Sequence, residues 1–190
     1  MAVDSDALTS LDNVKEFLGI SGNTDDALLE NLIDRVTDLF ESYCDRKFKA
    51  ADYTEYHDGK GSDKLFPDQF PINSVASIHD DTDWTWGSDT LIDSDDYRIV
   101  DGAYIQCKSD TFTDDVQNVK VVYNAGYDSI PEDLEQAAIM QVAWLYKKGK
   151  GGGLLGVSSK SLMDGSISFT NKDLLPEVRL VLERYRKRKL

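Results

Sequence analysis

Thirty-five acidic side chains in a chain of 190 residues make carboxylate chemistry the first to consider. Asp80, Asp81 and Asp83 crowd into one short stretch, and Asp93, Asp95 and Asp96 into another. Hard cations such as calcium take several oxygens from loops of this kind. Neither stretch carries the glycine and distant glutamate of an EF-hand, so both read as solvated loops. Asp58 and Asp63 could act as a general acid and base, but acids are so abundant that any one pair carries little information. His57 and His79 are the only histidines, and neither has a metal-ligand spacing, even with Cys44 and Cys107. Each is expected to be a strand histidine hydrogen-bonded to its neighbours. Gly151, Gly153 and Gly156 satisfy GxGxxG, yet a dinucleotide fingerprint needs a strand before the glycines and a helix opening at them. Here a helix comes before and a polar loop after. Ser158 and Ser159 have no histidine nearby in sequence. The reading therefore assigns no catalytic residue, no metal and no cofactor.

Two features point to binding instead. Trp84 and Trp86 lie in a polar loop between Asp83 and Gly87, where tryptophans either fold back onto a sheet or anchor an interface. The chain also ends in Arg184, Tyr185, Arg186, Lys187, Arg188 and Lys189, followed by Leu190. Such a run suits the C-terminal dipole of a helix, and it also suits an acidic protein surface or a DNA backbone. Residues 1–130 hold 28 Asp/Glu against 10 Lys/Arg, whereas residues 131–190 hold 7 against 11. An acidic body does not embrace nucleic acid, because phosphate binding needs cations.

The length allows one domain, or a core with a modest insertion. Two cysteines far apart in sequence read as reduced, buried thiols of an intracellular product rather than a disulfide framework. No apolar run reaches membrane-spanning length and the first residues lack a signal-peptide pattern, so a soluble protein without a membrane partner is expected.

The elements follow from periodicity. Thr9, with Asp12 three residues on, is placed to cap a short helix over Leu11, Val14, Phe17 and Leu18, which Gly19 ends. Thr24-Asp25-Asp26 opens a long helix whose apolar residues, from Leu28 to Cys44, recur in steps of three and four. Arg46 and Lys47 suit its C-terminal dipole. Short strands are expected around Tyr53–His57, Lys64–Phe66, Ile72–His79, Tyr97–Val100, Ala103–Cys107 and Asn118–Tyr123. Asp58-Gly59-Lys60-Gly61 reads as a hairpin turn returning at Lys64, and Asp101-Gly102 as another. Ser129 and Glu132, with Pro131 between them, mark a helix start. The helix that follows carries apolar residues on more than one face, so it is expected to be packed between partners. Gly149 to Asn171 reads as a mobile Gly/Ser loop, including Gly151, Gly152 and Gly153. Asp173 and Pro176 then open a last helix with a stripe of Leu174, Val178, Val181, Leu182 and Tyr185.

This order of elements carries a resemblance. The segments Ala125-Gly126-Tyr127-Asp128, Ile130-Pro131-Glu132-Asp133-Leu134, Gln136-Ala137-Ala138-Ile139 and Ala143-Trp144-Leu145-Tyr146 resemble the tailed-phage head-to-tail connector proteins, also called head completion or adaptor proteins. Tyr43-Cys44-Asp45-Arg46-Lys47-Phe48, Tyr53-Thr54-Glu55-Tyr56, Pro71-Ile72-Asn73-Ser74-Val75 and Tyr97-Arg98 extend it over most of the chain. The expected fold is α+β: a helical core of about four helices, residues 1–50 and 126–190, with a small antiparallel β module, residues 51–125, inserted between the second and third long helices. The resemblance implies a ring, commonly of twelve copies, beneath the portal of a filled capsid. It would join the head to a stopper or tail protein and let DNA through without sequence-specific binding. It further implies a place in the virion neck, reached from the host cytoplasm. Arg184–Lys189, Trp84, Trp86 and Gly151–Gly153 are then the expected partner contacts, and Arg184–Leu190 is expected to project beyond the core, so that its deletion leaves a folded protein that fails to join capsids. The alternative is a monomeric module gripping a carbohydrate or calcium through Trp84, Trp86 and the Asp clusters. A calcium-dependent thermal shift, or glycan binding lost in Trp84→Ala, would favour it.

Overall fold

A computed structural model describes residues 2–150 and 174–187. The chain divides into two compact units, one made of Met1–Phe48 with Ser129–Leu190 and the other of Lys49–Asp128.

The first unit is helical. Its described helices are α1 (Leu11–Leu18), α2 (Asp26–Cys44), α3 (Glu132–Lys150) and α4 (Pro176–Tyr185). The expected crowding of α3 is found: it touches α1, α2 and α4, and buries Leu134, Ala138, Val142 and Leu145. Gln141, also fully buried, accepts from the Leu175 amide at 3.0 Å and so ties down the start of α4. Pro176 sits in the first turn of α4, where a missing N–H costs nothing. Leu174, Val178 and Leu182 are buried as the stripe required, while Val181 and Tyr185 are half-buried.

The caps differ in detail from expectation. Ser10 rather than Thr9 caps α1, accepting from the Asn13 amide, and Thr9 instead donates its hydroxyl to Glu135 on α3. Asp25 precedes α2 without a side-chain cap, because its carboxylate accepts from Tyr146 and Lys150 at the far end of α3. Bonds from Lys150 first and Tyr146 second hold the Asp25 carboxyl below the usual range. Arg46 and Lys47 fall outside the last turn of α2, which ends at a left-handed Asp45, and Lys47 pairs with the buried Glu41 at 2.5 Å. Helix α3 runs through Gly149 to Lys150, beyond the expected start of the Gly/Ser loop. Gly151–Asn171, with Gly151, Gly152 and Gly153, lies outside the described residues, as do Arg188 and Lys189.

The second unit holds β1 (Ala51–Gly59), β2 (Lys64–Leu65), β3 (Ile72–Asp80), β4 (Tyr97–Val100), β5 (Tyr104–Cys107) and β6 (Asp115–Ala125). They form two three-stranded antiparallel sheets, ordered β1-β6-β3 and β2-β5-β4. The second expected hairpin is present: β4 pairs β5 across Asp101 and Gly102, both at positive φ. The first is not. β1 pairs with β6 and β2 with β5, so the turn after Gly59 carries the chain from one sheet to the other. Ile78, Val119, Val121 and Tyr123 of the first sheet meet Leu65, Ile105 and Cys107 of the second, with Phe112 between, in one apolar core. The module begins and ends side by side, since Lys49 bridges Tyr127 and the Ala50 amide donates to the Tyr127 carbonyl at 3.1 Å. Gly126 makes this approach possible. Its φ is 114°, and a Cβ there would lie 2.6 Å from the Lys49 carbonyl oxygen.

Both cysteines are free and buried. Burial pushes the Cys44 thiol up to about 12 and raises Cys107 as well, with Asp110 and Asp63 adding to the effect. The thiolate is the reactive form. Native protein at neutral pH is therefore expected to resist a thiol reagent such as iodoacetamide, with both cysteines reacting once denaturant is added; mass spectrometry of the alkylated chain reads this directly.

Candidate assembly surfaces

Several described residues that could have done chemistry have structural partners. Asp58 accepts from the Gln117 amide and Asp63 from the Gln106 side chain, so each serves its own strand connection. His57 bonds Glu55 at 2.8 Å and His79 bonds Thr90 at 3.3 Å, as expected of strand histidines. Asp93 accepts from the Asp95 amide and starts the short 3-10 turn Ser94–Asp96. Asp80 accepts from the Thr113 amide and from Asn118. Among the described residues, no group of three or more His, Cys, Asp or Glu is placed to hold a metal ion. Among them, too, no helix is long and apolar enough to cross a membrane. Ser158 and Ser159 lie outside the described residues.

Asp81 organises the tryptophan loop. It is 5% exposed, and its carboxylate accepts from the amides of Asp83 (2.9 Å), Thr85 (2.9 Å) and Trp86 (2.6 Å) and from the Thr85 hydroxyl (2.9 Å). Four donors converging on one carboxylate fold residues 81–86 into a tight knuckle. Trp84 and Trp86 both adopt φ 55°, a left-handed conformation that bulky residues rarely take. Such backbone strain costs about 1–3 kcal/mol per residue and persists only where its surroundings impose it.

The two tryptophans then part company. Trp86 turns back onto the outer face of the β1-β6-β3 sheet, against Tyr56 (5.4 Å between ring centres), the edge of His79 (6.5 Å) and the Lys120 ammonium (5.7 Å). Tyr56, Lys120 and His79 stand side by side there through strand register. Trp84 stays 58% exposed, its indole N–H donating to the Val116 carbonyl at 3.3 Å, and Val116 is itself 63% exposed. The sequence left both orientations open for the pair; Trp86 folds back onto the sheet, while Trp84 stays exposed.

Asp81 makes the loop acid-sensitive. Burial opposes its ionisation, but the bonds from Trp86, Asp83 and Thr85 outweigh burial and hold the carboxyl below its ordinary value of 3.8. A group whose folded pKa is depressed stabilises fully above the unfolded value and loses that contribution as pH falls through the folded one. Acid titration is thus expected to release the knuckle below pH 3.8, shifting tryptophan emission. In Asp81→Asn the loosened signal should already be present at neutral pH; identical titrations of the two proteins would refute the assignment.

The basic end does not project freely. Arg184 pairs with Asp133 at 3.2 Å, and the Tyr185 hydroxyl donates to the same carboxylate while its ring meets the buried Phe48 edge-on at 6.2 Å. Arg186 lies over the Tyr43 ring at 5.5 Å and the Lys187 amide donates to the Cys44 carbonyl at 2.9 Å. The expectation that Arg184–Leu190 extends past the core is corrected for Arg184–Lys187. Tyr185, the last residue of the apolar stripe read from the sequence, draws its basic neighbours down with it.

Trp84 and the basic end are the surfaces to set beside known proteins. No curated protein matches the chain. Among solved structures, a chain in the neck of a native gene transfer agent particle computed with C12 symmetry superposes with a TM-score of 0.62 at 17% identity, covering 100% of this chain and 94% of that one. A chain in the neck of an empty gene transfer agent particle, computed with C6 symmetry, gives 0.63 at 16%, covering 95% and 90%. One from the native gene transfer agent virion gives 0.63 at 18%, covering 100% and 94%. These likenesses establish a shared fold. The model of the head completion protein family matches residues 7–188, nearly the whole length. The chain belongs to the head completion protein family, a structural rather than enzymatic one.

Proposed function

We propose that this chain forms a closed ring of twelve copies in the neck of a phage-like particle. The ring docks beneath the portal, connects the DNA-filled head to a stopper or tail protein, and lets the genome pass. Membership of the head completion family over residues 7–188 carries the reading. The full-length likeness to chains from gene transfer agent necks, one computed with C12 symmetry, supports the ring and its copy number.

Charge gives the conduit its physical sense. Residues 49–128 hold 17 Asp/Glu against 6 Lys/Arg, so the β module carries −11 of the chain's −14. Duplex DNA carries about one negative charge per 1.7 Å of axis. Acids facing the channel would repel it, keeping a moving genome from sticking. Trp84, Trp86, the basic C-terminal residues and Gly151–Gly153 remain the proposed contacts with portal, stopper or neighbouring copies.

Native mass spectrometry of the full chain, alone and with purified portal, followed by electron cryomicroscopy of the assembly, tests the proposal. A twelve-membered ring with an acidic lumen is expected. A chain that stays monomeric with portal present, or a ring whose lumen is basic, would overturn it.

A further inference from the structure

A cleft of about 330 Å³ opens between the two sheets of the β module, where β1 runs on toward β2. Its floor belongs to the module's core, since Leu65, Phe112 and Val119 line it and all three are buried. Its mouth is basic. Lys60 and Lys64, two of the six Lys/Arg in an otherwise acidic module, meet there beside His57, and Asp58 is the one acid in the lining. The Lys64 ammonium lies over the Tyr104 ring at 5.5 Å. The exposed Lys60 side chain makes no hydrogen bond or ion pair with any described residue. The Asp58 carboxylate is taken up by the Gln117 amide at 2.8 Å. Phe66, 43% exposed, adds an apolar wall.

The side chains at the mouth are held from beneath. Glu55 Oε2 lies 2.8 Å from His57 Nε2 and accepts from the Asp68 amide at 2.9 Å. Its Oε1 accepts from the hydroxyl of the fully buried Tyr123, which itself accepts from the Gln69 amide at 3.0 Å. A carboxylate fixed in this way makes Nε2 of His57 a donor and sets the plane of the ring. Nδ1 has no partner among the described residues, and in the protonated ring it offers its N–H to an oxyanion. The backbone is shaped at the same place. His57 stands opposite Val119 but Gly59 opposite Asp115, so β6 bulges between them and carries Gln117, at φ 50°, to the mouth. Bulges and left-handed residues of this kind gather where side chains are aimed at a ligand. We infer that the cleft binds an organic carboxylate, its apolar body on Leu65, Phe112 and Val119 and its oxygens at Lys60, Lys64 and His57. An apolar floor with a few convergent polar groups is the usual build of a ligand site. A free aromatic or aliphatic acid offers this chemistry, and so does a partner segment with a carboxylate beside an apolar side chain. The site does not depend on the ring proposed above.

Ligand-observed NMR of the full chain tests this whatever its state of association. Benzoate should bind with a Kd of about 1 mM, in keeping with its size. It should bind about 30-fold more tightly than acetate, which lacks the ring, and about tenfold more tightly than benzyl alcohol, which lacks the charge. Lys60→Gln combined with Lys64→Gln changes two exposed residues, so the chain should fold while its affinity for benzoate falls about tenfold. Lys108→Gln, outside the cleft, should leave that affinity unchanged. Phe66→Ser should weaken benzoate and not acetate. The blocked dipeptide acetyl-Phe-Glu-amide separates the two sources: binding tighter than benzoate assigns the cleft to a partner segment, and weaker binding assigns it to a free acid. Equal binding of benzoate and acetate, full affinity in the double lysine variant, or no binding of benzoate at about ten times the expected Kd would overturn the site.

Discussion

Replacing Asn118 with leucine is expected to destabilise the β module by about 3 kcal/mol, since a buried polar group left unpaired, here the Gly59 amide, costs about 1–3 kcal/mol and the two less buried partners lose a hydrogen bond each. Asn118 is fully buried in β6. Its oxygen accepts from the Gly59 amide at 2.8 Å, and its nitrogen donates to Asp80 at 2.7 Å and to the Thr113 carbonyl at 3.0 Å. One side chain thus fastens the end of β1, the end of β3 and the segment leading into β6. Leucine fills similar space but leaves all three partners without it. Asn118→Asp separates the contributions. It keeps an acceptor for Gly59 but faces Asp80 with a second carboxylate, so its deficit against the parent should shrink as pH falls and one of the pair takes a proton. Thermal unfolding of the three proteins across pH checks both expectations. A leucine variant within 1 kcal/mol of the parent, inside the range of an ordinary surface substitution, would remove Asn118 from this role.

The second large effect is at the C-terminus. Ending the chain after Glu183 should destabilise the helical unit by about 3 kcal/mol, because it removes the half-buried Tyr185 ring from Phe48 and leaves the apolar stripe of α4 incomplete. Ending it after Lys187 keeps the described contacts of Arg184–Lys187 and should therefore cost less than ending it after Glu183. The pair of truncations matters for function. Loss of portal binding in the longer deletion does not separate a damaged fold from a lost contact, so whether the basic end binds a partner is read from removal of Arg188–Leu190. Chemical denaturation gives the stabilities, and portal binding of the shorter deletion gives the role. Equal stability of both truncations would show that the contacts of Tyr185 do not matter.

The helices could be read from the sequence because their information is local. Steps of three and four from Leu28 to Cys44, and Pro176 ahead of Val178 and Leu182, fix an element and its buried face without reference to anything distant. Strand pairing could not be read this way. β1 finds its partner in β6, with Tyr53 opposite Tyr123, and the turn residues after Gly59 would suit a hairpin or a crossover equally well. At the candidate surfaces, sequence marked Trp84 and Trp86 but could not separate them. The decision lies with Asp81, whose neighbours in sequence made it look like one more solvated acid until its four donors were placed. The basic tail misled for a related reason: charge pattern suggested projection, while one tyrosine supplied the adhesion that holds Arg184–Lys187 down.

The meeting of Lys49 with Tyr127 has a wider consequence. Because the two ends of the inserted module stand next to each other, it behaves as a cassette: one two-strand junction, spaced by Gly126, separates it from the residues on either side. Splicing Phe48 to Ser129 through a short linker should leave a four-helix remnant able to fold alone, and a different cassette could be grafted at the same junction. An insertion joined at one junction can be exchanged as a unit without redesigning the helices that carry it.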